Sequence, residues 1–274
     1  MWKSLIYTVP MLVLFNINIY ATELILSAPP RESKEAGETL YTPLAEFLSR
    51  QLGQPVKYRY PDSWFTYQNN MRDNMYDIVF DGPHFASWRI EHLNHEVLVK
   101  LPGKLQFYLV ARVDDDTTRT PNELIGRYIC GISPPNLSTL SVLNHFHNPV
   151  RQPVIKGING GMKKVYKSFE AKKCSAAVLR TTFYQKKLSQ EDRDKIKIIF
   201  TSEPLPNQMI TASKRISPAD VEKLQFAFLK SEEGMEALEP ILKRFGGKAR
   251  SFVPAENNEV DGKNQLLEGV IFGW

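Results

Sequence analysis

Amphipathic segments and short apolar runs alternate along the chain from residue 24 onward. In the segment 38–52, Leu40, Leu44, Phe47 and Leu48 share one helical face, and a glycine, a typical helix stop, follows it. Over residues 24–80 the alternation predicts three strands separated by two helices, which is typical of a parallel sheet. The predicted strands are 24–27, 56–60 and 76–80, and the predicted helices are 38–52 and 63–75.

The same alternation returns further along the chain and predicts a second α/β unit. It predicts strands at 97–101, 105–112, 128–132, 154–157, 174–179 and 196–200, and helices at 121–125, 137–146, 162–172 and 181–188. Two amphipathic helices follow, at 218–230 and 234–245. Two lobes crossed more than once by the chain imply a cleft at their boundary, where small ligands commonly bind.

We therefore predict an α/β protein with two lobes, each a mostly parallel sheet flanked by helices, and a ligand cleft between them. The expected division is 22–108 for the first part of lobe 1, 109–202 for lobe 2, and 203–274 for the return to lobe 1 and the last helices. With 274 residues and 42% hydrophobic content, the chain is large enough for two such units. The net charge of +5 comes from scattered basic residues, so nucleic acid is not expected as a partner.

The first 21 residues have the pattern of an export signal. Lys3 precedes a mostly apolar run that ends at Ile19, and Ala21 is followed by polar residues. This order predicts a signal peptide at 1–21, cleaved after Ala21. An uncleaved anchor is the alternative, although the run is short for a membrane span of about 20 apolar residues.

Two cysteines, Cys130 and Cys174, lie in apolar strand-like runs. In an oxidising compartment they could form a disulfide. Two small buried apolar side chains are an equally good interpretation. Neither cysteine lies in a metal-binding pattern, and no metal site is expected. His84, His92 and His95 also lack zinc-site spacing, so these histidines are expected on helix surfaces.

The segment 76–89 predicts an anion-binding helix start. An apolar strand is broken at Asp81-Gly82-Pro83, and a helix follows from His84. A helix N-terminus beyond the carboxyl end of a strand favours an anion, and in open α/β sheets ligands bind there. Asp81 directly follows the buried strand, and we expect it either to cap that helix or to contact the ligand.

Several short motifs, in their order and spacing, resemble one family: the periplasmic solute-binding proteins of phosphate-, phosphite- and phosphonate-type ABC transporters. They are the helix 41–48 with Leu52-Gly53, Tyr76-Asp77-Ile78 with Gly82-Pro83, Leu124-Ile125-Gly126, Ser138-Thr139, the segment 202–207, and Phe252-Val253-Pro254. The resemblance covers nearly all of the chain beyond the signal. It implies the type 2 periplasmic-binding fold and a periplasmic monomer without cofactor or catalysis. It also implies that a small anion, phosphonate- or phosphate-like or another oxyanion, is caught in the cleft for a membrane ABC permease.

The sequence departs from the family pattern around the ligand. Ala86 stands where the family often has Tyr, and the glycine after the two hydroxyl residues is absent. Ser175 and Arg180 occupy the region where the family has acids that hold an ammonium group. A zwitterionic aminophosphonate is therefore not expected. An orphan sensor that signals to a membrane kinase or receptor is the alternative function, and an exported enzyme is a further one.

The expected ligand contacts come from cleft segments at 29–39, 63–67, 81–88, 136–141, 159–163 and 180. Ser138 and Thr139 should begin a helix, where hydroxyl and N–H groups suit an oxyanion and plain capping is the alternative. Gly160-Gly161 predicts either a second anion-binding turn, in which backbone N–H groups approach the ligand, or a plain turn. Arg180 is expected either to bind the anion with two hydrogen bonds or to lie on the surface. The full predicted set is Ser138, Thr139, Arg180, Asp81, His84, Phe85, Trp64, Tyr67, Gly160 and Gly161.

Overall fold

Two five-stranded sheets organise the protein in a computed structural model that describes residues 23–268. The strands are β1 Leu24–Ser27, β2 Val56–Tyr58, β3 Ile78–Asp81, β4 Glu96–Lys100, β5 Lys104–Leu105, β6 Phe107–Arg112, β7 Tyr128–Ile132, β8 Val154–Ile158, β9 Ala176–Arg180, β10 Ile196–Thr201, β11 Leu205–Pro206 and β12 Met209–Ala212. The predicted signal peptide, 1–21, lies outside the described residues.

Helices flank both sheets. They are α1 Lys34–Leu52, α2 Trp64–Arg72, α3 Pro83–Leu93, α4 Leu137–Leu143, α5 Met162–Glu170, α6 Thr181–Lys187, α7 Gln190–Asp194, α8 Pro218–Lys230, α9 Glu232–Phe245 and α10 Gln265–Glu268. Short 3₁₀ helices occur at Pro121–Leu124, Asn144–Phe146 and Asn257–Val260. Within residues 23–268, none of these helices has the length and apolar character needed to cross a membrane.

The first sheet has the strand order β2-β1-β3-β12-β4. β1 pairs in parallel with β2 and β3, as the alternation over residues 24–80 predicted. β12 pairs antiparallel with β3 and with β4, so it alone runs against the other four strands. β12 was not predicted, because its four residues are all buried and show neither the alternation nor the length of an obvious strand.

The second sheet has the same design, with the order β10-β6-β9-β7-β8. β7 is parallel to β8 and β9, whereas β6 is antiparallel to β9 and β10. Again one strand runs against the other four. In each sheet that strand directly follows a crossing between lobes, and the two-lobed, mostly parallel α/β fold is confirmed.

The chain crosses between the sheets twice, through β5 and through β11. These two short strands pair with each other, antiparallel, with Leu105 opposite Leu205. Both leucines are buried. Ser202 Oγ accepts a hydrogen bond from the Phe107 backbone N–H at 3.0 Å, which ties the two crossings together where they enter the second sheet. We call the β5–β11 pair the crossing ribbon.

Each lobe has its own apolar core. In the first, α1, α8 and α9 pack on one face of the sheet, and Leu44, Phe47 and Phe228 are buried there. α1 begins earlier than predicted, because Ser33 caps it by accepting a hydrogen bond from the Ala36 N–H at 3.3 Å.

A disulfide joins Cys130 of β7 to Cys174, which lies just before β9. The two Cα atoms are 5.6 Å apart. β7 and β9 are parallel neighbours, with Cys130 opposite Ala177, so sheet pairing brings together residues that are 44 apart in sequence. Of the two interpretations of the cysteines, the structure shows the disulfide.

The C-terminal segment bridges the lobes. α10 packs on α3 in the first lobe and contacts α4 in the second. Leu267 is fully buried, and His92 Nε2 lies 2.8 Å from Glu268 Oε1. Leu266 packs against apolar clusters of both lobes. This segment therefore covers one side of the boundary between the lobes.

Candidate functional site

A cavity of about 250 Å³ lies between the lobes. Its walls come from the carboxyl ends of strands in both sheets and from the helices that follow them. The lining residues are Pro29, Arg31, Trp64, Gly82, His84, Phe85, Leu105, Phe107, Ile132, Pro135, Asn136, Leu137, Gly161, Met162, Arg180 and Gln208. We call this the interlobe cavity.

Two helices, each longer than two turns, have their N-termini at the interlobe cavity. Gly82 is the N-cap of α3, and Gly161, with φ +84°, is the N-cap of α5. Neither glycine supplies a side-chain cap. Helix N-termini carry a partial positive charge and backbone N–H groups directed outward, so each favours an anion. The two helices come from different lobes.

Arg180 is the only charged residue that the second lobe contributes to the cavity lining. It ends β9, and its guanidinium makes no ion pair with any described residue. Its Nε is buried without a hydrogen-bond partner among residues 23–268. Burial lowers the pKa of Arg180. A half-buried guanidinium without a carboxylate partner is available for an anionic ligand.

Arg31 is the corresponding residue of the first lobe, beyond the end of β1. Its Nη2 donates a hydrogen bond to the Phe80 carbonyl at 3.3 Å. The guanidinium carbon lies 4.8 Å from the centre of the Phe245 ring and 5.5 Å from that of Phe80. No carboxylate in the described part of the chain pairs with it. Arg31 falls in the expected cleft segment 29–39 but was not singled out; its position after Pro29-Pro30, at a strand's carboxyl end, was the available signal.

His84 joins the two lobes. Its Nε2 lies 3.1 Å from the carbonyl oxygen of Pro135, on the opposite side of the cleft. Because a carbonyl only accepts, Nε2 carries the proton and donates. Burial lowers the pKa of His84 to about 4, so the imidazole is neutral at pH 7. This hydrogen bond has to break if the lobes separate.

The expectation of surface histidines is wrong for two of the three. His84 is 3% exposed and His95 is 1% exposed, with His95 Nδ1 3.3 Å from Thr211 Oγ1. Both face the packed side of their segments, and the second ring nitrogen of each, His84 Nδ1 and His95 Nε2, is buried without a partner among residues 23–268. Only His92 is exposed. Among residues 23–268, no group of three His, Cys, Asp or Glu side chains could hold a metal ion.

Most of the interlobe cavity lining is apolar. Trp64 and Phe85 stack with ring centres 6.1 Å apart. Phe107 and Met162 belong to the second lobe's side of the cavity. No aspartate or glutamate is among the lining residues. The cavity therefore combines a cationic part with a large apolar surface.

Asp81 and Tyr67 lie beneath the cavity and do not line it. The Asp81 carboxylate accepts hydrogen bonds from Arg89 Nη1 at 2.8 Å and Arg89 Nη2 at 2.7 Å. Tyr67 donates its hydroxyl proton to the same carboxylate. The prediction that Asp81 caps α3 is wrong, because Gly82 is the cap and the buried guanidinium of Arg89 attracts the carboxylate instead.

Ser138 and Thr139 are also buried away from the cavity lining. Ser138 Oγ donates to Asn136 Oδ1 at 2.6 Å, and Thr139 Oγ1 donates to the Ile132 carbonyl at 2.5 Å. Asn136 itself caps α4 by accepting from the Ser138 N–H at 3.0 Å. Within this arrangement the start of α4 meets the cavity through Asn136, whose side chain also orients the serine.

The structure thus brings half of the predicted set together. Trp64, His84, Phe85, Gly161 and Arg180 line the interlobe cavity. Gly160 lines an outer groove beside α5 instead. Leu105, Phe107 and Gln208 were missed altogether, because they lie on the two crossings, and their place in the cavity depends on pairing between distant strands.

Comparison with known proteins identifies a family. A model described as "ABC transporter, phosphonate, periplasmic substrate-binding protein" matches residues 26–260. No match was found among curated proteins. XAC2383 from Xanthomonas citri, solved with ATP, superposes with a TM-score of 0.70 at 14% identity, covering 92% of this chain and 100% of that chain.

Two further solved structures are similar in fold. PhnD1 from Prochlorococcus marinus, in complex with methylphosphonate, has a TM-score of 0.63 and 14% identity, covering 90% of this chain and 97% of that one. A binding protein component of an ABC phosphonate transporter from Pseudomonas aeruginosa has a TM-score of 0.57 and 15% identity, covering 89% of this chain and 85% of its own.

Proposed function

The chain belongs to the family of periplasmic substrate-binding proteins of phosphonate ABC transporters, and we propose that it captures a small anion in the interlobe cavity and presents it to a membrane ABC permease. The observation that carries this proposal is the pair Arg31 and Arg180. Both line one cavity, neither has a carboxylate partner among the described residues, and no acid lines the cavity. Two half-buried guanidiniums without a carboxylate partner favour an anion that supplies several acceptor oxygens.

Capture by lobe closure follows from the position of the cavity. Arg31, His84 and Gly82 belong to the first lobe, and Arg180 and Gly161 to the second. An anion held by both sides favours the closed arrangement, because only there are both sets of donors in reach. The crossing ribbon is the expected hinge, with 22–108 and 203–274 in one proposed lobe and 109–202 in the other.

Two further observations support this role in the periplasm. The Cys130–Cys174 disulfide is typical of proteins in oxidising compartments. PhnD1, which shares the fold, was solved with methylphosphonate, a small anion of the proposed kind. No step of bond making or breaking is proposed for this site.

The test is a thermal-shift titration of the exported protein, purified from the periplasmic fraction, with phosphate, phosphite, sulfate, methylphosphonate, phenylphosphonate and benzoate. A ligand that binds only the folded state must raise the melting temperature. We expect a concentration-dependent rise with at least one of these anions, abolished in Arg180→Ala. Arg151→Ala, which removes an exposed arginine of the same lobe, is the matched control and should keep the rise. Absence of a rise with any anion would contradict the proposal.

A further inference from the structure

The charges around the interlobe cavity restrict which charged groups the ligand can have. Its only charged lining residues are Arg31 and Arg180. The buried acid below it, Asp81, is already neutralised by Arg89 at 2.7 Å. An ammonium group on the ligand would thus meet two guanidiniums and no carboxylate. A charge buried without a partner is strongly unfavourable, so the site disfavours a zwitterion.

The two arginines also restrict the form of the anionic head. Arg31 belongs to the first lobe and Arg180 to the second, and each has its Nε buried without a partner among residues 23–268. Guanidiniums bind best to planar or tetrahedral groups with two or more acceptor oxygens. One carboxylate, phosphonate or sulfonate head could therefore be shared between the lobes.

The apolar wall restricts the rest of the ligand. Trp64 and Phe85 form a stacked pair on one side, and Phe107 and Met162 belong to the other. Phe85, Phe107 and Met162 offer no donors to the oxygens of an inorganic ion, and Trp64 offers only its indole N–H, while burying unpaired polar groups is costly. They do stabilise carbon surface removed from water. A cavity of roughly 150 Å³ holds benzene, so about 250 Å³ leaves room for a ring or short alkyl body beside a head group.

Building on the proposed function, we infer that the ligand is a small organic anion with an uncharged apolar body. Its acidic head lies between Arg31 and Arg180, and its body lies against Trp64 and Phe85. This class excludes inorganic oxyanions and aminoalkyl anions as preferred ligands. Arg31 and Trp64 are then specificity-determining residues, the first for the head and the second for the body.

The test is isothermal titration calorimetry of the exported protein with a series that changes one part of the ligand at a time. Phenylphosphonate, methylphosphonate and inorganic phosphate vary the body, and 2-aminoethylphosphonate adds an ammonium group. Benzoate keeps the ring and changes the head. We expect phenylphosphonate or benzoate to bind more than tenfold tighter than phosphate and 2-aminoethylphosphonate, and the stronger of the two identifies the head.

Variants of Arg31 and Trp64 separate the contribution of the ligand's acidic head to affinity from that of its apolar body. Arg31→Gln should weaken every anion at least tenfold, while Arg31→Lys, which keeps the charge, should restore part of the affinity. Trp64→Leu should reduce the preference for phenylphosphonate over methylphosphonate. It should leave methylphosphonate affinity within about threefold, since only contact area is lost. Arg151→Ala is the control, and melting curves check that each variant is folded.

The outcomes distinguish this inference from the function on which it rests. If phosphate or 2-aminoethylphosphonate binds as tightly as phenylphosphonate and benzoate, the inference is overturned while anion capture stands. If Arg31→Gln leaves all affinities unchanged, the inference that Arg31 and Arg180 share the acidic head of the ligand is overturned. If no member of the series binds, the proposed anion capture is overturned as well.

Discussion

Single side chains show how this protein separates stability from ligand binding. Asp81, Tyr67 and Arg89 form a buried network directly under the interlobe cavity, and Arg89 Nη1 also lies 3.3 Å from the Tyr67 hydroxyl. Arg89 is fully buried and Asp81 is its only carboxylate partner among the described residues. The network thus secures β3 to α3, the elements that carry Gly82 and His84.

Asp81→Asn is expected to lower the free energy of unfolding by about 3–5 kcal/mol, because it leaves the Arg89 guanidinium buried without a counter-charge. The free energy of unfolding is measured by urea denaturation, with circular dichroism as the signal. Glu239→Gln is the matched control, since it breaks an exposed i,i+4 pair with Lys243 and should produce no resolvable change. Equal stability of Asp81→Asn and the wild type would contradict the assigned role of the pair.

His84 is expected to make stability depend on pH. Burial lowers its pKa from 6.5 to about 4 in the folded protein. Between these values the unfolded chain binds a proton that the folded chain does not, so its stability contribution is full above pH 6.5 and declines as pH falls towards 4. The loss is roughly 3 kcal/mol for a shift of this size. His95, whose pKa burial lowers to about 2, adds a change of the same sign.

The measurement is the free energy of unfolding by urea at pH 4.5, 5.5, 6.5 and 7.5. His84→Gln, whose amide can still donate to Pro135, should flatten the profile relative to wild type. His147→Asn removes an exposed imidazole and, because asparagine tolerates the left-handed φ of +47°, should leave the profile as it is. An unchanged slope in His84→Gln would contradict the lowered pKa, because it would show that His84 binds its proton equally well in the folded and unfolded chain.

Some of the cavity residues could be predicted, because they directly follow a strand or precede a helix in the local sequence pattern. Arg180 follows an apolar run, and Gly161 stands in a Gly-Gly turn before a helix, so local pattern made both candidates, with a surface arginine and a plain turn as the alternatives. The role of Asp81 was ambiguous, because only the tertiary structure shows that Arg89 of α3 is buried and pairs with it. Thr139 could not be placed, because its hydroxyl bonds to a carbonyl of the neighbouring strand, an interaction with no sequence signature.

Helices and strands were predicted well in their cores and less well at their ends. α8, Pro218–Lys230, begins and ends where the pattern predicted, because Ser217 caps it and Pro218 starts it. The predicted helix 137–146 instead changes to a 3₁₀ turn at Asn144. The predicted strand 105–112 is interrupted at Gln106, where the chain passes from the crossing ribbon into the second sheet.

The disulfide between β7 and the start of β9 is expected to stabilise the second lobe. Replacing both cysteines, as Cys130→Ala with Cys174→Ala, should cost about 2–5 kcal/mol, because the unfolded chain gains the freedom of a 44-residue loop. Chemical denaturation under oxidising conditions measures the loss. Reduced wild type should match the double variant within about 1 kcal/mol, and a double variant as stable as the oxidised wild type would contradict the expectation.

The two crossings and the C-terminal segment connect the lobes within the described residues. The crossing ribbon, which we propose as the hinge, is short, and its two leucines are buried. The His84–Pro135 hydrogen bond links the lobes at the cavity, and α10 contacts helices of both lobes at their boundary. Opening would have to break these contacts, and a ligand shared by Arg31 and Arg180 would oppose it.

Saturating phenylphosphonate is expected to reduce the radius of gyration measured by small-angle X-ray scattering, because a bound anion favours lobe closure. Arg180→Ala at the same ligand concentration should retain the ligand-free value, and Arg151→Ala should respond like wild type. A radius unchanged by bound ligand in the wild type would show that capture occurs without lobe movement.

Most strands and helices, the α/β class and the family were readable from local patterns, because apolar spacing, turn residues and helix stops depend only on neighbouring residues. The place of β12 between β3 and β4, the disulfide, and the joining of Arg31 to Arg180 in one cavity were decided by tertiary structure. Each depends on contacts between segments separated by tens of residues, and the sequence does not record which distant segments become neighbours. For the same reason, Leu105, Phe107 and Gln208 of the two crossings became visible as cavity residues only in the folded protein.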